Sequence, residues 1–231
     1  MIDLFESNRL KNKNILIATI IVLATSYLVM YPEVFGMFSI LTSWTYLTIG
    51  GVLSMIFLVG YDKTKLFFRN MKKNSWKWII ISVILSFLVS ILFILIGSLF
   101  NISVAENASM EGIGETTTPF WILLIEIVTT IFSLIGEEVI TASIAIILFY
   151  YAEKRFNSNI SWVLSAIISA IIFGLMHYGV YDGNIFQCIF VIGIGRLPLT
   201  YAWRKTGSLW GGIWAHVIYD YIIIGILYLG L

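Results

Sequence analysis

Polar and apolar positions in this chain fall in long blocks, not in short alternations. Predominantly apolar blocks run over about 15–32, 37–59, 77–100, 119–151, 160–179, 184–203 and 208–230. Each is long enough, at roughly 20 residues, to cross a hydrocarbon core as a helix. The blocks are continuous, which argues against the dyad alternation of a membrane β-barrel. The predicted fold is therefore all-α: a polytopic transmembrane helical bundle of about seven spans, one domain over 1–231. The first block is long and lacks a small-residue cleavage site, so it is expected to be an uncleaved helix. The fourth is too long, since its 33 residues would extend about 50 Å against about 30 Å of hydrocarbon. It is expected to tilt, to protrude or to break, with Gly136 as the expected break.

The polar connections orient the bundle. Arg9, Lys11 and Lys13 precede the first block; Lys63, Lys65, Arg69, Lys72, Lys73 and Lys77 fill the second connection. Lys154 and Arg155 follow the fourth block, and Arg204 and Lys205 the sixth. The alternate connections carry Glu33, then Glu106, Glu111 and Glu115, then Asp182, and no Lys or Arg. Thirteen of the fourteen cations thus fall on one side, which predicts a cytoplasmic N-terminus and an outside C-terminus. The segment 101–118, polar and rich in Gly, Ser and Thr, reads as an outside loop closed by Pro119. Such a chain is expected in a cell membrane, multi-pass, of a bacterium.

Composition agrees with a lipid environment. The chain is 59% hydrophobic and 12% charged, about half the charge of a soluble domain. A net charge of +1 gives no reason to expect a nucleic-acid partner; the lipid bilayer is the expected surrounding. The single cysteine, Cys188, excludes an internal disulfide and a cysteine-rich metal site.

Against that background a few ionisable residues stand out, because such groups at membrane depth are costly and by default mark function. Glu137 and Glu138 are adjacent in the fourth block, His177 ends the fifth, and His216 and Asp220 lie in the last. Adjacent side chains on a helix point about 100° apart, so one glutamate can reach a water while the other makes structural bonds or holds a cation. A glutamate of this kind is a candidate general base. His216 and Asp220, at i and i+4, share a helical face; Asp220 orients the imidazole, or both contact one ligand. Two histidines with carboxylates can also hold a first-row metal such as zinc, so Glu137, His177, His216 and Asp220 are candidate ligands. The HExxH pattern of zinc proteases is absent, so a metal is not forced. Arg196 is the only cation expected at membrane depth and should not stay unpaired; Glu138 is its expected partner, with Glu126 and Asp220 as the alternatives. Glu126 lies three turns before Glu137 on nearly the same face.

The order of motifs resembles one family. EEVITA at 137–142, FGLMH at 173–177 and HVIYD at 216–220 are similar to the EExxxR, FxxxH and HxxxN/D motifs of the CPBP (Abi) family of CAAX proteases and bacteriocin-processing intramembrane proteases. The run TGSLWGGIWAH at 206–216 resembles the usual lead-in to the last histidine. The resemblance covers about 120–225, within a core at 119–230, while 1–110 carries no recognisable motif. It implies an intramembrane endopeptidase in which Glu137 activates water, Glu138 assists, His177 is a further catalytic residue, and His216 with Asp220 stabilises the oxyanion. It leaves metal-dependent and metal-independent mechanisms both open. The implied substrate is a hydrophobic or membrane-bound peptide, such as a bacteriocin or pheromone precursor, or a lipidated C-terminus. One departure is plain: the arginine of the first motif is Ala142 here, which puts the partner of Glu138 in question. Two other classes stay open on sequence: a non-proteolytic immunity or scaffold protein of the same fold, and a proton-coupled transporter using the acids as a relay.

Overall fold

The computed structural model describes residues 1–6, 10–31, 36–105, 107–108 and 120–229. The side chains of Ile2, Glu6, Ser39, Ile40, Leu41, Phe120, Ile122, Leu123 and Glu126 also lie outside the described residues. The described residues are helical with short connections. The elements are α1 (Ile2–Glu6), α2 (Asn12–Met30), α3 (Met37–Val59), α4 (Tyr61–Phe67), α5 (Ser75–Leu99), α6 (Phe120–Ala152) and α7 (Ser158–Met176). A π-helical run Gln187–Gly193 and a 3₁₀ turn Ile194–Arg196 follow, then α8 (Leu197–Thr206) and α9 (Leu209–Leu229). Among the described residues, six helices are long and apolar enough to cross a membrane by length and composition, and the chain is a multi-pass membrane protein.

The predicted sixth span, 184–203, is not a regular helix. It is the π run, the 3₁₀ turn and the first part of α8. Pro198 accounts for the 3₁₀ turn: it lacks the N–H that an unbroken α-helix would give to the carbonyl of Ile194. Leu197 instead closes a tighter turn onto that same carbonyl. The expected break at Gly136 is likewise corrected, because α6 runs unbroken through it. Gly136 serves a close approach: a Cβ there would collide with the backbone of Leu47 and Thr48 on α3. Thr48 on the same turn of α3 donates its hydroxyl hydrogen to the Phe132 carbonyl of α6.

Helix packing follows the rule for a lipid solvent, in which small and hydroxyl residues face inward. On α5, Ser82, Ser86 and Ser90 are buried while Leu88, Leu92 and Leu95 are exposed. On α7 the inward face is Ser161, Ser165, Ser169 and Phe173, again at helical spacing. Apolar residues left exposed on α2, α3 and α5 form a broad belt that water would penalise and lipid does not.

The described connections gather at two ends. At one, Phe5 packs edge-on against Phe67, Phe149 and Trp162, Lys72 N–H donates to the Thr206 carbonyl at 2.9 Å, and Arg69 Nε donates to the Gly207 carbonyl at 2.9 Å. At the other, Ala108 N–H donates to the Val180 carbonyl at 3.1 Å, and the Gln187 amide bonds both backbone groups of Ala105 at 2.7 and 2.9 Å. The first end collects the cationic connections and the second the connections without Lys or Arg. The broken run carries the chain from the second end back to the first, so it crosses the bundle despite its irregular backbone.

Candidate active site

A cavity of about 1050 Å³ lies inside the bundle, lined by Glu137, His177, His216, Asp220, Tyr181 and Tyr219 among others. Four of the five acids and bases singled out in the sequence thus face one space. The fifth, Glu138, points away from it. This is the helical geometry of adjacent residues at work, since α6 can turn only one of the pair toward the cavity.

Glu138 is fully buried and accepts hydrogen bonds from three other elements. Oε1 accepts from Arg196 Nη2, in the 3₁₀ turn, and from His216 Nδ1 of α9 at 3.0 Å. Oε2 accepts from Trp203 Nε1 of α8 at 2.6 Å. A buried carboxylate must be paired and hydrogen-bonded to be tolerated, and here it is both. The arrangement needs a glycine nearby: a Cβ on Gly212 would stand 2.6 Å from Glu138 Oε2 and collide with the Trp203 indole. This gives the GG of the lead-in run a physical reason.

Arg196 is 3% exposed and bound on three sides. Beyond Glu138, its Nη1 donates to Thr141 Oγ1, and Thr141 in turn donates to the Glu137 carbonyl at 2.7 Å. Its guanidinium carbon lies 3.9 Å from the Phe173 ring centroid, a cation–π contact. The place of the motif arginine is taken by Ala142, which is wholly buried in the apolar core. The guanidinium that meets Glu138 comes instead from the break before Pro198. The side chain of Glu126, the other carboxylate weighed for Arg196, lies outside the described residues.

The cavity side is arranged around His216. Its Nδ1 is committed to Glu138, so Nε2 is the atom offered to the cavity. Nε2 lies 3.9 Å from Glu137 Oε2 and 3.8 Å from Asp220 Oδ1. These separations are too long for hydrogen bonds and leave room for a small molecule among the three groups. The carboxylates of Glu137 and Asp220 are 19% and 18% exposed, enough to meet a ligand in the cavity. His177 follows the last residue of α7, and its Nδ1 donates to the Phe173 carbonyl at 2.9 Å. A carbonyl can only accept, so Nε2 of the neutral ring keeps its lone pair for the cavity. Among the described residues, no three His, Cys, Asp or Glu side chains converge as a metal-ligand group.

Sequence reasoning missed Trp203 and Thr141. Trp203 had a signal: it lies two helical turns after Arg196, on the same face of one block, with an N–H that must find an acceptor when buried. Thr141 had none beyond its place one turn after Glu137.

Residues 119–222 match the family model described as type II CAAX prenyl endopeptidase, Rce1-like. The matched stretch contains all the residues of the site just described. No curated protein and no solved structure matches the chain.

Proposed function

Residues 119–222 belong to the CPBP family of CAAX proteases, and on that premise we propose that the protein is an intramembrane endopeptidase of the cell membrane. Its substrate is a hydrophobic or membrane-bound peptide, such as a bacteriocin or pheromone precursor or a lipidated C-terminus. One observation carries the reading: Glu137, His177, His216 and Asp220 face a single cavity, while Glu138 is held behind them in a closed set of bonds.

The chemistry follows from that division. Glu137, within reach of a cavity water, takes its proton as general base. The water oxygen adds to the carbonyl carbon of the scissile bond, and the carbonyl oxygen becomes an oxyanion. His216 Nε2, protonated in the imidazolium, and a protonated Asp220 are the donors aimed at that oxygen. His177 Nε2 accepts a hydrogen from the same water and fixes its direction. Collapse of the tetrahedral species breaks the C–N bond, and Glu137 returns its proton to the leaving amine. Glu138 makes no contact with the reacting atoms; it fixes the ring of His216 through Nδ1, which is a positioning role. The cavity lies inside the bundle, so each of these electrostatic contacts acts in a space of lower effective dielectric than bulk water.

The test is cleavage by the purified protein in detergent or liposomes against a panel of hydrophobic and lipidated peptides. Parent protein should cleave at least one at a unique bond, and Glu137→Gln should abolish that cleavage while leaving the unfolding temperature unchanged. Cleavage retained in Glu137→Gln would remove the basis of the reading.

A further inference from the structure

We propose that Tyr181 is a further catalytic residue whose phenol donates a hydrogen bond to the substrate carbonyl oxygen as it becomes the oxyanion. The assignment rests on the endopeptidase reading above. The two oxyanion donors named above are each constrained. His216 has only Nε2 to offer, because Nδ1 is held by Glu138. Asp220 stands where the family motif also admits an asparagine, and a carboxylate, unlike an amide, donates only when protonated. A donor that is neutral without having to be a protonated carboxyl would complete the set, and Tyr181 has the placement for it.

Tyr181 lies in the turn beyond α7, one helical turn after His177, and lines the cavity with Glu137, His216 and Asp220. Its ring centroid is 6.3 Å from that of His177, with the planes tilted by 30°. The ring is 9% exposed, and the backbone around it is fixed from two sides. Its own N–H donates to the His177 carbonyl at 3.2 Å, while the preceding Val180 carbonyl accepts from Ala108 at 3.1 Å. The phenol oxygen accepts from Asn107 Nδ2 at 3.3 Å, an amide brought in by the 101–108 connection. That bond occupies an oxygen lone pair and leaves the hydroxyl hydrogen for another partner. Two other tyrosines near the cavity spend theirs within the protein. Tyr219 donates to Ser90 Oγ at 3.2 Å, and Tyr221 donates to the Ile127 carbonyl. Burial holds the Tyr181 phenol well above its ordinary pKa. The phenol therefore keeps its proton over the whole physiological range.

The experiment compares parent, Tyr181→Phe and Glu137→Gln on a peptide that the parent cleaves. Removing one oxyanion donor should lower kcat about 10²–10³-fold with KM little changed. A peptide aldehyde, which forms a tetrahedral adduct with water, should lose affinity for Tyr181→Phe by a similar factor, while the uncleaved peptide should not. Should Tyr181→Phe fold poorly, 3-fluorotyrosine at position 181 keeps the shape and makes the phenol a stronger acid; kcat should then respond to the fluorine. A parent-like kcat in Tyr181→Phe, or no response to the fluorine, with Glu137→Gln inactive, overturns the assignment of Tyr181 alone. Activity persisting in Glu137→Gln overturns the endopeptidase reading and Tyr181 with it.

Discussion

Arg196→Met tests the electrostatic core of the site. Methionine keeps much of the side-chain volume and the contact with Phe173, but removes the guanidinium that faces Glu138 and Thr141. Glu138 is then a fully buried carboxylate with no cation in the Arg196 position. Breaking a buried pair by removing one partner costs about 3–5 kcal/mol. Trp203 and His216 still donate to Glu138, which places the expected loss near the low end, about 3 kcal/mol. For a chain of this size each kcal/mol is worth roughly 2–4 °C, so the midpoint should fall by about 6–12 °C. The assay is thermal unfolding in a mild detergent, followed by fluorescence, on the four proteins of a double-mutant cycle. Glu138→Gln keeps an oxygen for Trp203 and removes the charge, so Arg196→Met with Glu138→Gln should be more stable than Arg196→Met alone. The interaction energy of such contacting residues falls in the range of about 0.5–3 kcal/mol, and here should reach its upper part. A single mutant within about 2 °C of the parent would refute the reasoning, as would a double mutant whose loss is the sum of the single losses.

Other expectations can be checked on the same preparation. Trp203→Phe removes one donor from Glu138 and should cost about 1–3 kcal/mol in an unfolding experiment, with a smaller loss of activity than Glu137→Gln. Gly136→Ala should destabilise by about 1–3 kcal/mol, because its Cβ meets the α3 backbone; a gain, as alanine gives in an unconstrained helix, would contradict the close approach. Cysteines at positions 63 and 103 should label with opposite sidedness in intact cells, position 103 from outside. Labelling of position 63 from outside would invert the topology.

Much of the fold and part of the site could be read from residue order. Long apolar blocks located six of the seven expected spans as helices, and the charge segregation gave the grouping of their connections, because both reflect transfer free energies that depend on composition. Glu137, His177, His216 and Asp220 were visible for the same reason: a costly group in an apolar block needs a purpose. The 3₁₀ turn in the broken run was not, since hydropathy is blind to the N–H that Pro198 lacks. Gly136 was read as a break because glycine permits both a bend and a close approach, and only the neighbouring helix decides between them. The serine faces of α5 and α7 were present at helical spacing, yet their meaning depends on knowing that the outer solvent is lipid. Arg196 meeting Glu138 could be anticipated from charge; Trp203 shared its helical face, but which acceptor its N–H would meet required the fold.

The distance in sequence between Glu138 and Arg196, 58 residues, has a consequence for biosynthesis. At 5–20 residues per second, roughly 3–12 s pass between synthesis of the acid and of its cation. During that interval α6 carries a carboxylate at mid-membrane whose insertion costs about 3 kcal/mol, with no guanidinium to meet it. Trp203 and His216, the remaining donors to Glu138, arrive later still. The set of bonds around Glu138 therefore closes only once the broken run, α8 and α9 have all been made, so the buried core of the site is among the last parts of the bundle to form.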